Sequence, residues 1–208
     1  PDARADQYSL GALAYLLLSG RPAFRFETLR QAAFEEAVER LAAAGVSITR
    51  AAPACVADAA ALSPTLFAPE AYGLWRDQIE AAPEVMYLPI LERFRGGRDV
   101  TAADYVAAWD RLERLRADWA RVAAGFDAAI LPTAPILPPD TERLLTDGAY
   151  FATENLLTLR NTRIANLLGL PAITLPTGHP ACGISLLGHA GQDRHLLRVA
   201  AGAEAALA

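Results

Sequence analysis

The chain contains no lysine; all 19 of its cationic side chains are arginine. Within these residues that excludes a P-loop lysine, a Schiff-base lysine, the strand lysine of a kinase and a serine–lysine dyad. Cysteine is scarce as well. Cys55 and Cys182 lie far apart with no metal-ligand spacing and read as buried free thiols, suited to a reducing cytoplasm. The histidines, His179, His189 and His195, have no acidic or thiol partner at ligand spacing, so no metal site and no cofactor is expected. Long apolar runs are missing too. Leu10 to Leu18 is too short to span a bilayer, and Asp2, Arg4 and Asp6 precede it, unlike a secretory leader. With 24 Asp and Glu against 19 Arg, the net charge is -5, a poor footprint for nucleic acid.

What the chain does have is enough apolar residue for a core: 208 residues, 53% hydrophobic, with Gly 14 and Pro 14 as punctuation. In residues 1–24, Tyr8, Leu10, Leu13, Leu16 and Leu17 recur at helical spacing. Asp6 is placed to cap that helix and Gly20 with Pro22 to end it. Residues 26–44 predict a second helix, with Leu29, Phe34, Val38 and Leu41 on one side and a stop at Gly45. VSIT at 46–49 reads as a short strand. Helices are expected around Glu70 to Ile79 and Leu88 to Phe94, closed by Gly96 and Gly97. Thr101 and Asp104 form a capping-box-like start to a long helix over 102–124. Its apolar face is Tyr105, Trp109, Leu112, Leu115, Trp119 and Val122, and Asp110 with Arg114 makes an i,i+4 pair. AAIL at 128–131 predicts a strand buried on both faces, and the proline-rich PTAPILPP at 132–139 a loop at its end. Residues 151–168 read as one helix ended by Gly169, then strands at 172–176 and 183–188, then a helix from His195 to Leu207.

Few side chains are placed to do chemistry. The five serines are Ser9, Ser19, Ser47, Ser63 and Ser185. Ser185 sits in Gly-Ile-Ser-Leu-Leu, half of a nucleophile elbow, but Leu187 stands where the second glycine belongs; a strand-interior serine is the better reading. Carboxylates such as Glu35, Glu36, Glu39, Asp110 and Glu113 fall on helix faces that water solvates. Gly96-Gly97-Arg98 lacks the spacing of a phosphate loop.

Four segments in a fixed order carry a resemblance. They are AAFEEAVERLAAAG at 32–45, ADYVAAWDRLERLRADWARVAAGFDAAILPTAPILPP at 103–139, RNTRIANLLGLPAITLPTG at 160–178 and CGISLLG at 182–188. Together they make residues 26–208 resemble the C-terminal part of the amidase signature family. These serine amidases include the A subunit of glutamyl-tRNA amidotransferase and many small-amide hydrolases. The resemblance implies a serine, a second serine across a cis peptide and a lysine base, held in a Gly-Ser-Ser-Gly-rich signature in the N-terminal half. This chain has neither that signature nor a lysine, so no catalytic residue is expected here. Carried over by motif, Pro132, Thr133 and Ile136 line the pocket mouth, and Asn161, Thr162 and Asn166 lie on the helix facing it, unless Thr162 and Asn166 merely cap or brace backbone. Residues 1–24 instead resemble the central helix of bacterial serine/threonine protein kinases, with Asp6, Ser9 and Gly11 at matching positions.

The expectation is therefore an α/β fold, a partial mixed sheet with helices packed on it. Residues 1–25 would be a kinase-like fragment and residues 26–208 an amidase-like C-terminal part, as in a truncated or chimeric chain that starts at Pro1. Such a chain is expected to be inactive alone, to meet a small amide substrate only if the missing half is supplied, and to self-associate through an uncovered sheet edge. No nucleic-acid and no membrane partner is expected. The alternatives are a non-catalytic α/β binding or assembly module and, behind it, a kinase-related regulator.

Overall fold

The computed structural model describes residues 13–16 and 29–208, and places a five-stranded mixed sheet between two helical layers. The strands are β1 (Leu13–Leu16), β2 (Ile48–Ala51), β3 (Ala128–Pro132), β4 (Ala172–Pro176) and β5 (Gly183–Leu187). Their order is β2-β1-β3-β5-β4. β1 runs parallel to β2 and β3, whereas β5 runs antiparallel to β3 and β4. The helices are α1 (Leu29–Ala43), α2 (Ala54–Ala61), α3 (Ser63–Ala81), α4 (Leu88–Arg95) and α5 (Ala102–Ala123). After β3 come α6 (Thr141–Thr146), α7 (Gly148–Thr158) and α8 (Thr162–Leu168), and α9 (Asp193–Leu207) closes the chain.

The period-two alternation of β3 explains why AAIL is apolar throughout. Ala128 and Ile130 face one core, with Phe34, Val38 and Leu41 of α1 and Leu196, Val199 and Ala203 of α9. Ala129 and Leu131 face the other, with Leu112, Leu115 and Trp119 of α5 and Ile164 and Leu167 of α8. A strand covered on both faces has no position left for a polar side chain. Arg40 of α1 fastens the first layer by donating to the carbonyls of Thr177 and Leu207. Thr101 caps α5 by accepting the Asp104 N–H at 3.1 Å, and Asp110 and Arg114 pair at 2.6 Å, both as the spacing predicts.

Three expectations need correction. The helix read over residues 1–24 is a strand at Leu13–Leu16, paired on both sides; the rest of that stretch lies outside the described residues. An unbroken apolar run satisfies helix and buried-strand patterns alike, and the sheet decides between them. The single helix over 151–168 is two helices, α7 and α8, because the chain bends at Leu159–Asn161 to turn the Asn161 side chain toward β3. Of the two free thiols, Cys55 is buried but Cys182 is only half-buried. Among the described residues no helix is long and apolar enough to cross a membrane.

Candidate functional site

β3 ends at Pro132, and the loop that follows starts under control of β5. Thr133 donates its N–H to the Gly183 carbonyl at 2.9 Å, extending the ladder by one residue. Register then gathers three hydroxyls on one face of the sheet. Ser185 pairs with Leu131 on one side and Thr174 on the other. Its Oγ lies 2.8 Å from Thr133 Oγ1 and 2.9 Å from Thr174 Oγ1, and the two threonine oxygens are 3.3 Å apart. Gly183 leaves the space for this cluster: a Cβ there would sit 2.9 Å from both Thr133 Oγ1 and Thr174 Cγ2. The hydroxyls satisfy one another, and no imidazole or carboxylate is hydrogen-bonded to them among the described residues. A hydroxyl without an adjacent base is a weak nucleophile, and the three hydroxyls here tie the ends of β3, β4 and β5 together.

Asn161 joins the helical layer to this point. It is 4% exposed, and its Nδ2 donates to the Pro132 carbonyl at 2.6 Å. Arg160 Nε approaches Asn161 Oδ1 at 3.5 Å. Pro132, Thr133 and Asn161 are thus brought together. Ile136 is half-buried in the loop beyond them. Thr162 and Asn166 are exposed, and the Thr162 hydroxyl donates to the Leu159 carbonyl at 3.3 Å, a local backbone brace. Removing the Asn161 amide leaves the Pro132 carbonyl without its side-chain donor. Asn161→Ala is expected to lower unfolding free energy by about 1–3 kcal/mol. Urea denaturation checks this, and a wild-type midpoint would mean that α8 docks without the bond.

Sequence reasoning missed two features here. One is Thr174, whose place opposite Ser185 follows from hairpin register and not from any motif. The other is a set of arginines on α4 and around the α7–α8 bend. Arg93 of α4 donates from Nη1 to Asn155 Oδ1 of α7 at 2.8 Å, and Tyr87 meets Phe151 of α7 edge-on at 5.0 Å. Arg160 and Arg163 stand one turn apart where α8 begins. Desolvation lowers the Arg160 guanidinium below its ordinary range at its inner end, while the residue as a whole is exposed. Arg163 is lowered by desolvation first and then by the like charge of Arg93.

The histidines serve separate contacts. His179 Nε2 lies 2.9 Å from Glu36, His189 Nε2 lies 2.8 Å from the Phe126 carbonyl, and His195 Nε2 lies 3.5 Å from Asp127. Among the described residues no group of three His, Cys, Asp or Glu side chains could hold a metal ion.

A family model described as Amidase matches residues 17–197. The chain is similar to 2-amino-5-chloromuconic acid deaminase of Comamonas testosteroni, at 31% identity over 192 residues, 84% of this chain and 39% of that protein. Among solved structures it is similar to allophanate hydrolase of Kluyveromyces lactis, with a TM-score of 0.81 at 20% identity, covering 94% of this chain and 32% of that one. It is also similar to 6-aminohexanoate cyclic dimer hydrolase complexed with substrate, with a TM-score of 0.77 at 23% identity, covering 100% of this chain and 48% of that one. The chain therefore spans less than half the length of each of these proteins.

Proposed function

The chain belongs to the amidase family, and on that footing we propose that its 208 residues form the substrate-side wall of an amide hydrolase rather than the catalytic core. The observation that carries this is a family match over residues 17–197 in a chain without lysine. The serine chemistry implied by the resemblance needs a base that can give up and regain a proton. Lysine does so when its pKa is lowered, whereas arginine stays protonated at any pH a protein survives. The two serines and the lysine would then come from sequence outside these residues. Pro132, Thr133, Ile136, Asn161, Thr162 and Asn166 form the wall, with Asn161 setting the distance between α8 and the end of β3. The deaminase relative acts, by its name, on a carboxylic acid, and this brings C–N cleavage in an acidic substrate into the candidate class. A junction near residue 25 belongs to the same proposal, with the kinase-like run Asp6 to Gly11 on one side; the family match itself begins at residue 17. A reducing cytoplasm suits the free Cys55 and Cys182, and self-association through an open sheet edge suits a wall separated from its core.

Ammonia release from a panel of small carboxamides tests this. The purified chain is expected to release none above buffer. It is expected to release ammonia once a polypeptide carrying a Gly-Ser-Ser-Gly signature and lysine from a related amidase is added. Turnover by the chain alone, surviving repurification, overturns the wall assignment. A stable complex that never turns over favours the assembly-module alternative.

A further inference from the structure

A groove of about 800 Å³ runs along α3, over the Gly96–Asp99 turn, to the start of α5, and none of the wall residues borders it. Two tyrosine rings line it, and other side chains hold both in place. Tyr72 donates its hydroxyl to Glu80 Oε1 at 3.1 Å, and Arg95 holds Glu80 through Nε at 2.9 Å and Nη2 at 2.5 Å. Tyr105 meets Trp109 edge-on, with ring centroids 6.3 Å apart. Leu74 and Val100 add apolar surface, and Leu74 is 69% exposed. The guanidinium of Arg98 stands over the Tyr72 ring, with Cζ 5.9 Å from its centre. Among the described residues Arg98 has no carboxylate within ion-pairing distance, since both oxygens of Glu80 already face Arg95. Arg76 and Glu70 also line the groove, which therefore carries two guanidiniums against one carboxylate. One further residue marks the place. Gly73 lies in the middle of α3 with an ordinary helical backbone, and a Cβ there would meet nothing within 4 Å. Glycine inside a helix is destabilising relative to alanine, and neither a turn nor close packing calls for one here. What a side chain at position 73 would occupy is the groove.

We propose that this groove binds an aromatic carboxylate, its ring lying against Tyr72, Tyr105, Leu74 and Val100 and its carboxylate received by Arg98. The inference is independent of the amide-hydrolase reading. The volume falls within the roughly 300–1,000 Å³ of small-molecule sites, and apolar walls with a few polar groups are their usual lining. Aromatic faces favour a flat ring, which stacks or meets them edge-on. The Tyr72 hydroxyl is already bonded to Glu80, so Tyr72 offers its ring and not its oxygen. A guanidinium presents paired N–H donors that match the two oxygens of a carboxylate. Glu70 on the same groove repels a second negative charge, so a singly charged head fits better than a phosphate dianion. The floor is backbone on backbone: Gly97 rests so close to the Ala68 carbonyl and Pro69 that no Cβ fits between them. With the floor rigid and both tyrosines held, binding has little left to order.

The experiment is calorimetric titration of the 208-residue chain with 2-naphthoate and with 2-naphthamide, which has the same ring and no charge. Naphthoate is expected to bind at least about 10-fold tighter, the size of one charge-assisted contact, and Arg98→Gln is expected to remove about that factor. Gly73→Leu fills the groove and is expected to weaken naphthoate at least about 10-fold. Its thermal midpoint should stay at or above the wild-type value, because leucine is the better helix former. No binding of naphthoate, or equal binding of the two compounds by the wild-type chain, overturns the site. Undiminished naphthoate binding by Gly73→Leu overturns it too, since the ligand would then sit elsewhere. If Gly73→Leu melts below the wild-type chain, Arg98→Gln decides, and a preference for naphthoate that survives it overturns the site. Because the readout is binding at residues outside the wall, failure here is distinct from failure of amide turnover in the complemented chain.

Discussion

Gly97→Ala is expected to destabilise the protein by about 3 kcal/mol, the upper end for forcing atoms into an already packed site. Gly97 lies in the tight turn Gly96–Asp99 between α4 and α5, and its Cα rests against α3. An added Cβ would overlap the carbonyl of Ala68 and lie 2.7 Å from Pro69 N. Those are backbone atoms inside a helix, so no rotamer change relieves the overlap; α3 and the turn must move apart. Pro69 sharpens the effect, since it has no N–H and already leaves one helical carbonyl without its partner. The neighbouring Gly96 provides the control, because a Cβ there meets nothing within 4 Å. Gly96→Ala should shift the denaturant midpoint little. Equal losses for the two substitutions would show that the α3 contact is not what Gly97 provides.

Leu186→Ala is expected to cost roughly 3–5 kcal/mol, within the range for emptying a fully enclosed leucine site. Leu186 is 0% exposed on β5, opposite Ile130 on one neighbour and Ile173 on the other. It shares its cluster with Phe34 of α1 and with Leu196 and Val199 of α9, so the void would open at the middle of that layer. Paired strands on both sides prevent β5 from collapsing inward, which keeps the cavity term large. Leu145→Ala removes the same side chain from a site that is 79% exposed and should change stability by less than about 0.5 kcal/mol. If the two leucines cost the same, the β5 face is not a packed core.

Much of this architecture is legible in the sequence because local signals and tertiary burial agree. The Thr101 cap of α5, its Asp110–Arg114 pair and most of its apolar stripe follow from spacing alone; Val122, expected on that stripe, is 43% exposed, and Ala123 is the buried residue of the last turn. The same holds for β3, whose four apolar residues in a row demand cover on both faces. The reading fails where a pattern is compatible with two structures. The apolar run around Leu13 fits a helix of its own, and only two partner strands make it β1. The site divides in the same way. Pro132, Thr133 and Asn161 are reachable by motif because they lie close to turns and helix starts. The arginines of α4 and the α7–α8 bend escape notice because they come from separate elements, and an arginine in a sequence gives no sign of whether an acid will neutralise it. Ile136, Thr162 and Asn166 carry even less signal, since nothing in their neighbourhood distinguishes a wall residue from an exposed one.

The ladder also dictates when the molecule can finish folding. Ala129 is bracketed by Ala14 on one side and Leu187 on the other, so the middle strand has neighbours drawn from opposite ends of the chain. During synthesis the early strands emerge long before their central partner, and that partner waits in turn for the last hairpin. Pairings this distant in sequence close slowly and leave apolar strands uncovered meanwhile. More residues separate Ala51 from Ala128 than separate Pro132 from Gly183, so a nascent chain of this design spends its longest vulnerable interval with β1 and β2 made and β3 still inside the ribosome, the interval in which a chaperone would be of most use.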